Sequence, residues 1–442
     1  MELEKKLVAE EILERDRKHL SRALYPRPGI AMKRAFEEYI EDVDGKRYLD
    51  FTAGASTSVG YMHPRIIEAA ITQLRKGVDH TQSDLSMGVV ELRSELAEEV
   101  KSHAPSQLSS RKIVFGHSGS DIIERAIRLV RFTTKRPMIV SYFEAHHGAS
   151  AAALSASPNL KDMGSNWVSR FFQLPGFIFM PFPDSYRPWF GEGAEAGAAS
   201  LAFLERLLSC VISPSMVAGV IVEPILSLGN VVPPDGYFEA LAEICKRNQI
   251  PLIADEVMTG IGKTGRMFAM EHWNVWSDVI CLGKGLSCSF PFAMLLAEYE
   301  LAEKWESKDY ASMSKDGDIL GCAVALETLR VVREEKLVER AEKAGSYLMN
   351  RLEDLKQDCK LLGQVRGLGL MVGFDIVESE TTKVENSALA KKIFDGALKH
   401  GLILGLRGSK GNVLEFLPAL TIDNSQIDSA IEILEQVSKE VR

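Results

Sequence analysis

The sequence predicts an α/β protein: a mainly parallel sheet covered by helices, joined to a smaller α/β domain. Three observations predict it. From about residue 64, short apolar runs suited to buried strands alternate with segments whose apolar residues recur at helical spacing. The 442 residues, 46% hydrophobic and 26% charged, can bury one large core and a smaller one. Polar and glycine-flanked residues stand where several strand candidates end, the edge at which open sheets of this kind bind ligands.

Residues 1–60 are expected to form an N-terminal arm and part of the smaller domain. Met1 to Arg22 reads as a charged amphipathic helix and Tyr25-Pro26-Arg27-Pro28-Gly29 as a link, and a hairpin is expected over Tyr39 to Phe51 with its turn at Asp44-Gly45. Residues 61–318 are expected to form the large domain. There, Asp121 to Arg131 places Ile122, Ile123, Ala126, Ile127 and Val130 on one helical face, and Met138 to Tyr142 is a strand candidate. Ala218 to Val222, the helical Gly236 to Asn248, and Pro251 to Ala254 make a βαβ unit, continued by Asp278 to Leu282 and Ala293 to Ala297. Ser155 to Ser200 is rich in Pro, Gly and aromatics and lacks long periodic segments, so it is expected to be irregular and to wall a site. Residues 319–442 are expected to complete the smaller domain, with helices over Gly321 to Glu335, Leu337 to Cys359 and Asn424 to Val441, and with Val365 to Val377 between them.

Composition removes several classes of function. A net charge of −9 without a basic tail argues against nucleic acid as a main partner. The six cysteines include no C-x-x-C pair and mostly sit in apolar runs, as reduced core thiols do. No signal-peptide core and no apolar run of about 18 residues is present, so a cytoplasmic protein is expected.

The most informative residue is Lys284, between Gly283 and Gly285 and 29 positions beyond Asp255 (255 to 284). A lysine in a glycine-flanked turn after a buried strand can bond covalently to an aldehyde, and an acid ending a neighbouring strand can hold a proton on a ring nitrogen. Pyridoxal phosphate needs both, because its ring draws electrons only while its nitrogen stays protonated. Upstream, Ser118-Gly119-Ser120 stands between a strand-like Ile113 to Phe115 and the helix at Asp121. That is an anion site if the free N–H groups face a ligand, and a plain serine cap if they do not.

In this order the motifs resemble the class III aminotransferases, pyridoxal-phosphate enzymes of fold type I. The resemblance runs from Tyr39-Ile40-Glu41-Asp42-Val43-Asp44-Gly45 through Met62-His63-Pro64, His147-Gly148, Glu223-Pro224 and Pro233-Pro234-Asp235-Gly236-Tyr237 to Leu417-Pro418-Ala419-Leu420. Its most specific portion is Asp255-Glu256-Val257-Met258-Thr259-Gly260-Ile261-Gly262-Lys263-Thr264-Gly265, followed by Lys284. The resemblance implies that Lys284 holds the cofactor and moves the substrate proton, and that Asp255 pairs with the pyridine nitrogen. It further implies that Ser118, Gly119 and Ser120 hold the phosphate, that His146 stacks on one ring face and Val257 on the other, and that Glu223 and Met258 border the cofactor. In relatives a Thr from a second subunit completes the phosphate site. Alignment puts Ser314 there, which implies a homodimer with shared active sites.

Departures from the family limit the substrate. Relatives acting on ornithine, acetylornithine or 4-aminobutyrate carry an acid after the Glu-Pro strand and an Arg that grips a carboxylate; here those positions are Leu228 and Glu415. Arg407 and Arg27 are candidate substitutes, set against a plain role as solvated loop residues. Met258 stands where many relatives have Gln, and His146 where they have Tyr or Phe, so His146 either titrates near the ring or stacks as a neutral imidazole.

The expected reaction is ping-pong transfer of an amino group from an amine or amino acid to a 2-oxo acid. The alternative is the racemases and epimerases of the same family, which carry an Asp in the loop after the Glu-Pro strand, where this chain has Ser227-Leu228-Gly229. Gly262-Lys263-Thr264 mimics the end of a P-loop, but Val257 stands where its first Gly belongs. No metal site is expected, since His146 and His147 are adjacent and project differently and no H-x-x-x-H or Cys cluster occurs.

Overall fold

In a computed structural model of the chain, the described residues are 8–21, 29–76, 90–158, 173–306, 316–358 and 362–441. Tyr25 to Pro28, Trp167, Phe171, Phe172 and Ser314 therefore lie outside them. The central element is a seven-stranded sheet. Its order is Lys112–Gly116, Ala293–Ala297, Val279–Leu282, Leu252–Asp255, Val217–Val222, Met138–Tyr142 and Phe177–Met180. Only Ala293–Ala297 runs against its neighbours. Just ten residues separate Leu282 from Ala293, and they form only a short 3-10 turn at Lys284–Ser287. A parallel crossover needs a dozen or more residues, so the chain returns antiparallel.

The inner strands Val217–Val222, Leu252–Asp255 and Val279–Leu282 are buried along their whole length. Helices cover both faces of such strands, which is why they read as continuous apolar runs without alternation. One covering helix is Gly119–Thr134, which buries Ile122, Ile123, Ala126, Ile127, Leu129 and Val130. It begins two residues before the expected start because Ser118 caps it, its side chain accepting from Asp121 N. The irregular stretch contains one edge strand that its aromatic composition hid, Phe177–Met180, paired parallel to Met138–Tyr142.

Two smaller sheets also occur among the described residues. Met32–Phe36, Tyr39–Asp42 and Arg47–Asp50 join Leu402–Ile403, so the expected hairpin is the middle of a sheet built from both ends of the chain. The other sheet is antiparallel throughout, in the order Leu362–Leu368, Met371–Ile376, Val413–Phe416, Gly405–Arg407. The apolar run Val365 to Val377 is thus a hairpin broken at Gly369, whose φ of 54° suits a glycine. No helix among the described residues is long and apolar enough to cross a membrane.

The P-loop mimic is structural. Lys263 is buried and donates its Nζ proton to the Pro418 carbonyl at 2.7 Å, so it does not face a ligand. Burial brings its pKa down to about 7. Between that value and the usual lysine range the unfolded chain carries a proton the folded chain lacks, so stability rises with pH across this window, by about 1.4 kcal/mol per unit. Below the window both states are protonated and the penalty is constant. Lys263→Met should therefore flatten the rise in melting temperature between about pH 7 and pH 9. Parallel curves for the two proteins would show that the folded lysine stays charged.

Candidate active site

Strand order brings the two key residues together. Asp255 ends its strand in register with Cys281 of the next one, and Lys284 follows three residues beyond. The turn is tight. A Cβ at Gly283 would lie 3.3 Å from Val257 Cγ1, and one at Gly285 would lie 2.1 Å from Ser58 Oγ, so glycines let this backbone pack against the core. Lys284 itself has a φ of 46°, a left-handed conformation that costs a side-chain-bearing residue about 1–2 kcal/mol. Its side chain is solvent-accessible, yet it sits deep enough that burial lowers its pKa, an effect opposed by Asp255, Glu223 and Glu415. No hydrogen bond or ion pair holds it among the described residues.

Asp255 is buried, with Oδ1 accepting from Val257 N at 3.1 Å and Oδ2 lying 2.7 Å from His147 Nδ1. Against a carboxylate that distance places the imidazole proton on Nδ1. His147 is in turn fixed by its backbone N–H, which donates to Ser157 Oγ at 2.7 Å, while its buried Nε2 has no partner. Sequence reasoning quoted His147 as part of a motif but gave it no role. The only signal was its place before Gly148.

His146, the preceding residue, has an accessible ring. Burial lowers its pKa to about 4, and the charges of Lys284 and His147 push the same way. That direction favours a neutral imidazole over a titrating one. Glu223 is buried and works as a bracket, accepting from His146 N at 3.0 Å and Ser227 N at 3.2 Å; burial raises its pKa. Met258 packs against the apolar cluster of Ile225, Met371 and Leu417.

At the helix start the backbone N–H groups of Gly119 and Ser120 have no acceptor among the described residues, whereas Ser118 Oγ is used in capping at 3.3 Å from Asp121 N. Ser120 Oγ accepts from Ala149 N at 3.0 Å. A Cβ at Gly119 would come within 2.7 Å of Val257 Cγ1, which leaves only glycine between the helix start and the residue after Asp255. Gly148, at φ 135°, matters as much, because a Cβ there would lie 2.4 Å from Ser120 Oγ. Gly148→Ala should displace Ser120 and weaken cofactor retention by about tenfold, at a stability cost of about 1–3 kcal/mol. Unchanged affinity in a cofactor titration would show that Ser120 takes no part in holding it.

Leu228 is buried, as is Glu415. Arg407 belongs to a strand and not to a loop, and its Nε donates to Glu415 Oε2 at 3.2 Å, which corrects its reading as a solvated loop residue. Arg27 and Ser314 lie outside the described residues. One group of potential metal ligands occurs among the described residues, His117, Asp121 and Asp316. Arg125 already binds it, with Nη1 and Nη2 at 2.9 and 2.7 Å from Asp316 and Nε at 3.0 Å from Asp121, so a guanidinium takes the place of a cation.

The sequence profile of the family described as "Aminotransferase class-III" matches residues 22–437. The chain belongs to the class III aminotransferases. A diaminobutyrate–2-oxoglutarate aminotransferase of Haemophilus influenzae is 34% identical over 93% of this chain and 91% of its own length. An alanine/serine racemase of Pyrococcus horikoshii is 32% identical over 98% of this chain and 90% of its own. Among solved structures, an (S)-enantioselective omega-transaminase from Thermomicrobium roseum superposes with a TM-score of 0.88 at 29% identity, covering 99% of each chain.

This aminotransferase therefore uses pyridoxal phosphate, and its residues fit that group. It has open backbone donors at a helix start, glycines where a Cβ would fill the cradle, a buried carboxylate oriented by His147, and a lysine amine with no partner of its own.

Proposed function

We propose that this aminotransferase moves an amino group from an amine or amino acid to a 2-oxo acid through Lys284, in two half-reactions that share one site. The observation that carries the reading is the accessible Lys284 amine, free of hydrogen bonds among the described residues, three residues beyond the Cys281 that stands in register with Asp255, whose carboxylate meets His147. Bound pyridoxal phosphate supplies the aldehyde that captures the amine and the ring that draws electrons from the bond broken at its carbon. Lys284 Nζ, its proton affinity reduced by burial, accepts the proton leaving the substrate carbon and returns it elsewhere. The Asp255 carboxylate favours a protonated ring nitrogen, while His147 Nδ1 fixes its direction. Gly119 and Ser120 offer N–H groups to the phosphate, and neutral His146 and apolar Val257 suit the two ring faces without competing for its charge.

The same reading takes residues 61–318 as the cofactor domain and the two ends of the chain as the smaller one, in a cytoplasmic homodimer to which Ser314 contributes from the second subunit. Racemisation is the weaker reading. The turn Ser227-Leu228-Gly229, where a racemase's second acid is expected, offers no carboxyl group, and Leu228 is buried.

The test is a panel of amines and of D- and L-amino acids, with and without 2-oxo acids, followed by product formation and by deuterium uptake at Cα. Product that depends on the oxo acid is the expected result. Inversion with exchange and no need of an acceptor would replace this reading by racemisation.

A further inference from the structure

Leu226 and Val231 exchange backbone hydrogen bonds at 3.0 and 3.1 Å, so Ser227 to Asn230 close a tight turn just after Glu223. Asn230 is buried there in a left-handed conformation, φ 55°, which strains a residue that carries a side chain. Neither polar atom of that side chain has a hydrogen-bond partner among the described residues, so Asn230 does not secure the turn itself. Two other side chains do. Glu223 Oε1 accepts from Ser227 N at 3.2 Å, and Arg366 Nε donates to the Gly229 carbonyl at 2.7 Å.

Arg366 is aimed by a second contact. Its side chain is 9% exposed and its Nη1 lies 2.9 Å from Asp375 Oδ2. That carboxylate is fully buried and also accepts from Asn412 Nδ2 at 2.7 Å and from both Nη atoms of Arg187. A planar guanidinium used on two sides is fixed in direction as a single ammonium is not. The fit is close: a Cβ at Gly229 would lie 3.2 Å from Arg366 Nη2, and one at Gly373 would lie 2.9 Å from the Gly229 oxygen. At the other end, Glu223 Oε2 accepts from His146 N at 3.0 Å. One run of contacts therefore leads from the small antiparallel sheet through the turn and Glu223 to the His146 backbone.

We propose that Arg366 is a positioning residue for the cofactor: through the Gly229 carbonyl it sets the turn, the turn sets Glu223, and Glu223 sets the His146 backbone. A loosened turn frees one oxygen of Glu223, and the bracket then holds His146 less firmly against the ring. The inference rests on the reading above that places His146 on a ring face, and goes beyond it by giving a residue of the small sheet a part in holding the cofactor.

The test titrates the cofactor-free protein with pyridoxal phosphate in the parent, Arg366→Met, Arg366→Lys, Glu223→Gln and the Arg366→Lys/Glu223→Gln double variant. Three quantities are followed: cofactor affinity, the circular dichroism of the bound cofactor, and the melting temperature of each cofactor-free form. Arg366→Lys keeps the charge opposite Asp375, but one ammonium cannot serve Asp375 and the Gly229 oxygen as the fork does. It should melt near the parent yet bind the cofactor about three- to tenfold more weakly, with a reduced dichroic band. Arg366→Met should lose at least as much affinity. Glu223→Gln should lose a similar factor, and the double variant no more than the larger single loss, because one path is cut twice. Unchanged affinity and band in either Arg366 variant, whatever its melting temperature, or losses that multiply in the double variant, would overturn the inference. Those results would leave the aminotransferase reading standing, whereas a parent that takes up no pyridoxal phosphate would remove both.

Discussion

Lys284→Ala should lower amino-group transfer by about 10⁴-fold or more while leaving the protein folded. The two effects separate because the lysine contributes chemistry and no structure. Its amine makes no hydrogen bond or ion pair among the described residues, and its pKa is already lowered by burial. Removing an accessible amine that makes no such contact leaves the fold unchanged. The melting temperature of the cofactor-free variant should therefore equal that of the cofactor-free parent. The variant mixed with pyridoxal phosphate should also lack the absorbance near the visible edge that a lysine-bound cofactor gives. A variant that still turned over at the parental rate would remove Lys284 from the mechanism.

Asp255→Asn should be the next most damaging change, at about 100- to 1000-fold in turnover. The substitution keeps the shape and an oxygen able to accept from His147 Nδ1, 2.7 Å away in the parent, but discards the charge that favours a protonated ring. Its effect then measures electrostatics and not packing. His147→Phe acts one step further out, leaving the Asp255 carboxyl in place but undirected, and should cost less, about 10- to 100-fold. If the histidine variant were the worse of the two, or the asparagine variant were fully active, the carboxylate would have no electrostatic part in the reaction.

Much of this was legible in the residues. The glycines around Lys284 announce a backbone that must pack closely, and the Cβ approach at Gly285 to Ser58 shows why. Asp255 closing an apolar run marks a strand end at the ligand-binding edge, and the register with Cys281 places it there. The helix over Gly119–Thr134 followed from its apolar spacing. Other elements were hidden for identifiable reasons. Phe177–Met180 is an edge strand whose half-buried aromatics carry no alternation, and Ala293–Ala297 looks like its parallel neighbours, since burial on both faces erases direction from a sequence. In the sequence Arg407 read as a candidate carboxylate anchor or a solvated loop arginine, and Glu415 as an acid where relatives carry an Arg. Their pairing exists only because Gly405–Arg407 folds back on Val413–Phe416.

The sequence alone determined the fold class and membership in the class III aminotransferases and singled out Lys284 and Asp255 as candidates, because strand and helix periods, glycine-bound turns and motif order are local or linear properties. The tertiary structure decided that His147 meets Asp255 across 108 positions, that Lys263 is a buried strut, and that the Arg407 guanidinium pairs with the Glu415 carboxylate. Each of these depends on strand order or on depth below the surface, and distances across a sheet and desolvation are set by the packed chain as a whole.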